Sequence, residues 1–137
     1  MSFTSPTDEI GLQPNVLPFS YECSGTIYAG QGVVICGDMQ VKAPAANLPN
    51  AAFASGCVGV ADYKQTDGKW VGVYGQGAIV RLIISGASKC GHGQLLGCVS
   101  EGKWTSLDAH GGNFSGVRAI ALEDQNTANG TARALLV

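Results

Sequence analysis

The sequence predicts an all-β fold: a small glycine-rich barrel or sandwich with an extended N-terminal arm and at most one short helix. Three observations predict it. From Cys23 onward, short β-branched runs recur at close spacing. Gly-containing turns separate them, drawn from 20 glycines in the chain, roughly twice the usual ~7%. Helix-favouring sequence is confined to one stretch, "ANLPNAAFASG" (Ala46 to Gly56), with room for one or two turns if Pro49 sits near the start.

The elements follow in order. Residues 1–22, "MSFTSPTDEIGLQPNVLPFSYE", carry Pro6, Pro14 and Pro18, which prevent a continuous helix or central strand. Phe3, Ile10, Leu12, Val16, Leu17, Phe19 and Tyr21 are too many apolar groups for a solvated tail. An extended arm lying on a surface satisfies both facts, and residues 23–137 form the single domain behind it. "GTIYAG" and "GVVICG" are strands bounded by turns. "GCVGVADY" and "KWVGVYG" flank "KQTDG", where Asp67-Gly68 signals a hairpin. "AIVRLIISG", the longest apolar run, reads as a buried central strand. "GQLLGCVSEGKWTSL" supplies two strands around Glu101-Gly102, and the last hairpin turns near Asn129-Gly130. The final residues, Ala134 to Val137, are apolar, so the last strand is expected in the middle of a sheet or under an oligomer contact. A shift of 62 residues lays Asp62 on Asp124, Gly68 on Gly130 and Cys36 on Cys98. Identities elsewhere are no better than chance, leaving duplicated halves or two hairpins of one kind.

Composition bounds the function. Charged residues make up 13%, about half the ~25% of an ordinary soluble domain. Such a domain hides part of its outside against partners, or builds its surface from Ser, Thr, Asn, Gln and Gly. Net charge is -2 and the basic residues are scattered, so nucleic acid is not an expected partner. No apolar run approaches the ~20 residues that span a bilayer, and the N-terminus lacks a secretory pattern. No membrane association is expected, and assembly in a cytoplasm is.

Candidate chemistry is sparse. Cys90, His92 and Cys98 carry zinc-ligand atoms, with Cys36 or Cys57 available as a fourth. Their C-x-H-x5-C spacing is not the paired C-x2-C of structural zinc sites. "HGGNFSG" (His110 to Gly116) has the form of an esterase oxyanion loop, yet no G-x-S-x-G elbow accompanies it. "YGQGAIV" runs into a strand where a dinucleotide fingerprint requires a helix. Most carboxylates, such as Asp62, Asp67 and Asp124, sit in predicted turns as caps. No enzyme activity and no cofactor are expected. Five cysteines leave one over in a fully paired monomer; Cys23 and Cys90 are the candidates for a bridge between chains under oxidising conditions.

The C-terminal segment "GVRAIALEDQNTANGTARALLV", with Gly116, Ala119 to Asp124 and Ala132 to Val137 as its matching residues, resembles the closing strands of a family of small tailed-phage proteins. Upstream, "GDMQVKA" and "GCVGVADYKQTDGKWVGVYGQGAIVRL" are similar to the same family in order, so the resemblance covers Gly30 to Val137 and excludes the arm. That family is long catalogued by a domain of unknown function and is related in role to capsid decoration (cement) proteins. The resemblance implies a virion protein on the exterior of the icosahedral head, a homotrimer or dimer bridging major capsid protein subunits. Candidate contacts to capsid or to itself are Phe3, Ile10, Leu12, Val16, Leu17, Phe19, Trp70 and Trp104. The rival expectation is a virion-borne module that binds a host surface or glycan on Trp70, Trp104 and Tyr74.

Overall fold

The computed structural model describes residues 17–45, 54, 56–85, 90–107, 116–127 and 130–137. Among these residues, ten strands fall into two units. The first comprises β1 (Phe19–Cys23), β2 (Gly32–Gly37), β3 (Gln40–Lys42), β4 (Cys57–Ala61) and β5 (Trp70–Tyr74). They close into a barrel in the order β1-β3-β2-β4-β5. The second comprises β6 (Ile79–Ile83), β7 (Leu95–Cys98), β8 (Trp104–Ser106), β9 (Ala119–Ala121) and β10 (Thr131–Leu136), in the order β6-β10-β9-β7-β8. A 3-10 turn, Ser100–Gly102, joins β7 to β8. The all-β expectation holds. The alanine-rich helical candidate, Ala46 to Gly56, lies almost wholly outside the described residues.

The second unit repeats the first. Phe19↔Val73 and Tyr21↔Val71 pair β1 with β5; Val80↔Ala134 and Leu82↔Ala132 pair β6 with β10, all displaced by 61 positions. Val33↔Gly59 returns as Leu96↔Ala119, displaced by 63 on one strand and 60 on the other. Ile35↔Val41 returns as Cys98↔Trp104. The parallel Cys23↔Val41 pairing that helps close the first barrel returns as a parallel Ile84↔Trp104 bridge, with Ser85 N–H donating to Trp104 C=O at 2.8 Å. The loops repeat as well. Tyr28 N–H donates to Gln31 Oε1 at 2.9 Å, and Gly91 N–H to Gln94 Oε1 at 2.7 Å. Gly30 N–H donates to Ala61 C=O at 2.9 Å, and Gly93 N–H to Ala121 C=O at 2.7 Å. Gly30 and Gly93 hold φ of 85° and 84°, a left-handed bend that favours glycine. The duplicated-halves alternative is the one the structure displays. A fixed shift of 62 misses it because the true offset drifts between 60 and 63.

Side chains follow the two-residue period of a half-buried strand. In β10, Ala132, Ala134 and Leu136 are buried while Thr131 and Arg133 are exposed. The first barrel is filled by Cys23, Ile27, Val33, Val41, Ala61, Val71 and Val73. The second core holds Leu82, Ile84, Leu96, Trp104, Ala134 and Leu136, and it takes in Val34, Cys57 and Val60 from the outer face of the first barrel. The end strands of the second sheet come together at the isolated Ile84↔Trp104 bridge, which curls that sheet into an incompletely closed second barrel, and the two units share one apolar layer.

Two sequence expectations are corrected. Phe19 to Glu22, expected in the arm, form most of β1 and pair with β5, because Pro18 at the strand entrance needs no ladder N–H. "AIVRLIISG" is not a central buried strand: β6 stands at the end of the strand order, with Arg81 exposed and Ile79, Val80 and Ile83 half-buried. The expected position of the last strand holds, since β10 lies between β6 and β9. Removing residues 134–137 strips the β9 ladder of all three partners and the β6 ladder of two of its five, and empties the Leu136 site, where one buried Leu contributes ~1.5–3 kcal/mol. Against a total of ~5–15 kcal/mol, the truncated chain should lose its cooperative urea transition, measured by tryptophan fluorescence.

Candidate functional site

The described surface carries separated apolar anchors. Leu17 and Phe19 are 77% and 70% exposed where the chain enters the first barrel. Pro18 between them lies over Gly72, whose absent side chain leaves room for the ring. At the loop end of the same barrel, Trp70, Tyr28 and Tyr63 are exposed. Tyr63 Oη donates to the Trp70 carbonyl at 3.3 Å, and Lys64 Nζ lies 5.2 Å from the Tyr28 ring centroid. The hydroxyl bond steadies the Tyr63 ring and the Lys64 ammonium lies over the face of Tyr28. Tyr28 and Tyr63 escaped the sequence reading because nothing in a turn-rich segment marks which rings point outward.

The sequence-predicted contacts divide three ways. Leu17, Phe19 and Trp70 are exposed. Phe3, Ile10, Leu12 and Val16 lie outside the described residues. Trp104 is corrected: it is fully buried in the second core, at the position equivalent to Val41, and is no surface contact. The aromatic platform of Trp70, Trp104 and Tyr74 is likewise not assembled, because Tyr74 packs half-buried against that core.

The cysteine expectation is also corrected. Cys23 and Cys90 are buried, and burial pushes both thiols up from their ordinary range. Neither is placed to meet another chain. Cys36, on the outer side of β2, is the exposed cysteine. Cys57 and Cys98 meet in the shared layer, where the hydrogen bond to Cys57 and burial hold the Cys98 thiol well above its usual range.

The zinc candidates do not share a site. Cys98 faces Cys57, while the exposed His92 ring sits 2.8 Å from Asp124 Oδ1. Asp124 also accepts the His92 backbone N–H, and these bonds hold its carboxyl below the usual carboxylate range. Glu123 is lowered too, by the Arg133 backbone N–H at 2.9 Å and then by the Arg133 and Arg81 side chains. Asp67 caps a distant loop, accepting Gly25 N–H at 2.7 Å. Of the "HGGNFSG" loop only Gly116 is described. A cleft of about 390 Å³ runs between the barrels, walled by Val60, Asp62 and Tyr74 on one side and by Ile79, Arg81 and Ile83 on the other.

No protein-family model and no curated protein matches the chain. Among solved structures, it is similar to the N base of the head fiber gp8.5 of bacteriophage phi29, at 15% identity and a TM-score of 0.56, over 89% of this chain and 94% of that one. At that identity the likeness is one of fold.

Because thiolate access governs alkylation, iodoacetamide applied to the native protein should label Cys36 and spare Cys23, Cys57, Cys90 and Cys98 until urea is added. Peptide mapping reads the pattern, and rapid native labelling of Cys23 or Cys90 would contradict the placement.

Proposed function

We propose that this protein is a structural component of a tailed-phage virion that adheres to the outside of the icosahedral head and bridges neighbouring major capsid protein subunits. The observation that carries the proposal is the fold likeness to the base of a phage head fiber, which runs nearly end to end on both chains. The sparse charge and the anchors Leu17, Phe19, Trp70, Tyr28 and Tyr63 support it. A protein with this role works by contact area, and turnover has no part in it.

Each stable contact needs roughly 800 Å² per partner. Joining two or three modest contacts on one rigid body raises the effective concentration at each, so avidity exceeds single-site affinity by ~100-fold or more. A stiff double barrel suits this, because a flexible linker between contacts would dilute the gain. Aromatic rings at the contact centre supply most of the energy, while the polar rim mainly excludes water.

The test is to incubate purified protein with undecorated heads and image the particles by cryo-electron microscopy. Regular added density at fixed lattice positions is expected, and Trp70→Ala should cut occupancy by ~10-fold or more. Bare heads at saturating protein would overturn the proposal. Binding to host-surface glycans by a protein that ignores heads would favour the rival module.

A further inference from the structure

Two of the five cysteines meet across the joint between the barrels. Cys57 stands on β4 of the first barrel and Cys98 on β7 of the second, far apart in sequence, yet both belong to the shared apolar layer. The strand registers explain the meeting. Cys57 pairs with Val34, which lies two residues from Gly32 along β2 and on the same face. The bare backbone at Gly32 admits the Cys98 sulfur, which would sit 2.5 Å from a Cβ placed there. The two thiols share a hydrogen bond.

A third group lies at the same spot. Trp104 is fully buried, and among the described residues its Nε1–H has no hydrogen-bond partner. That nitrogen is 3.2 Å from the same Gly32 Cβ position, beside the Cys98 sulfur. A buried donor without an acceptor is costly, and an electron-rich sulfur or a sulfur-bound oxygen is the acceptor this apolar layer otherwise lacks. The hydrogen bond from Cys98 lowers the Cys57 thiol from its ordinary range, while the same bond and burial raise Cys98. Cys57 is therefore the sulfur that gives up its proton first, and the thiolate is the nucleophile.

We propose that Cys57 and Cys98 are a dithiol that a small hydroperoxide converts to a disulfide, tying the two barrels together from inside the shared layer. With hydrogen peroxide, the Cys57 thiolate attacks one oxygen and the O–O bond breaks. The departing hydroxide takes the proton that Cys57 released and leaves as water, so Cys57 becomes a sulfenic acid. The Cys98 sulfur then attacks the Cys57 sulfur. The S–S bond forms, the S–O bond breaks, and the hydroxide leaves with the Cys98 proton as a second water. The dithiol gives up two electrons and two protons, and the peroxide becomes two waters. The link closes a loop of roughly 40 residues and stabilises the fold chiefly by constraining the unfolded chain. It is independent of any attachment to heads.

The experiment uses the full chain carrying Cys36→Ser, which removes the exposed thiol. The reduced protein is treated with hydrogen peroxide and then alkylated in urea. Its mass should fall by two hydrogens, Cys23 and Cys90 should take the alkylating agent, and tandem mass spectrometry should place the link at Cys57 and Cys98. The melting temperature should rise by roughly 5–15 °C and return on adding dithiothreitol. Cys57→Ser and Cys98→Ser should each lose both the link and the rise; where either fails to fold, the dithiothreitol reversal decides. In the unaltered chain, Cys36 reports that peroxide has reached the protein. Free Cys57 and Cys98 thiols after Cys36 is fully oxidised, a link through Cys23 or Cys90, or a link that leaves the melting temperature unchanged would each overturn the proposal.

Discussion

The absence of a side chain at Gly32 is the constraint on which the molecule depends. A Cβ placed there would sit 2.5 Å from the Cys98 sulfur and 3.1 Å from the Trp104 ring. Only glycine lets the first barrel come that close to the second. The approach brings Val34, Cys57 and Val60 into the core that Leu82, Leu96 and Trp104 fill. Neither unit is large. A unit of about 60 residues buries only ~60% of the surface its unfolded chain exposes and is marginal alone. Sharing a layer gives the second core the apolar volume that a lone barrel of this size lacks.

The duplicated barrels differ at this slot. Leu95 stands in the second barrel where Gly32 stands in the first, and Val41 of the first becomes Trp104 in the second. The first barrel has no side chain where its neighbour approaches, and the neighbour fills that space with the Trp104 ring. An interface made by backbone proximity is hard to flex, since interiors at crystal-like density resist small displacements. Rigidity of that kind suits a protein whose proposed work is holding several surfaces at fixed spacing.

Much of this was legible in the sequence. The runs "GVVICG", "GCVGVA", "WVGVY", "LLGC" and "TARALL" are strands because β-branched or alternating apolar residues stand between glycine-rich turns. The repeat was only half legible. What the halves share is backbone pairing and the Gly-Gln of two loops, Gly30-Gln31 and Gly93-Gln94, and the offset changes wherever a loop differs in length. The tryptophans were illegible for a related reason. Each follows Gly-Lys, yet Trp70 is exposed opposite Glu22 while Trp104 points inward. Barrel closure sets that parity, and local sequence does not carry it. β6 misled because Ile79 and Ile83, on its outer face to either side of the exposed Arg81, border the cleft between barrels, so apolar residues stand on both faces of the strand.

Gly32→Val tests most directly whether the two barrels stand as one body through that slot. The account predicts that calorimetry and urea unfolding, single transitions in the wild type, shift to a clearly lower midpoint or split in two, with the second core melting first. One cooperative transition at an unchanged midpoint, with Cys98 still shielded from alkylation, would contradict it.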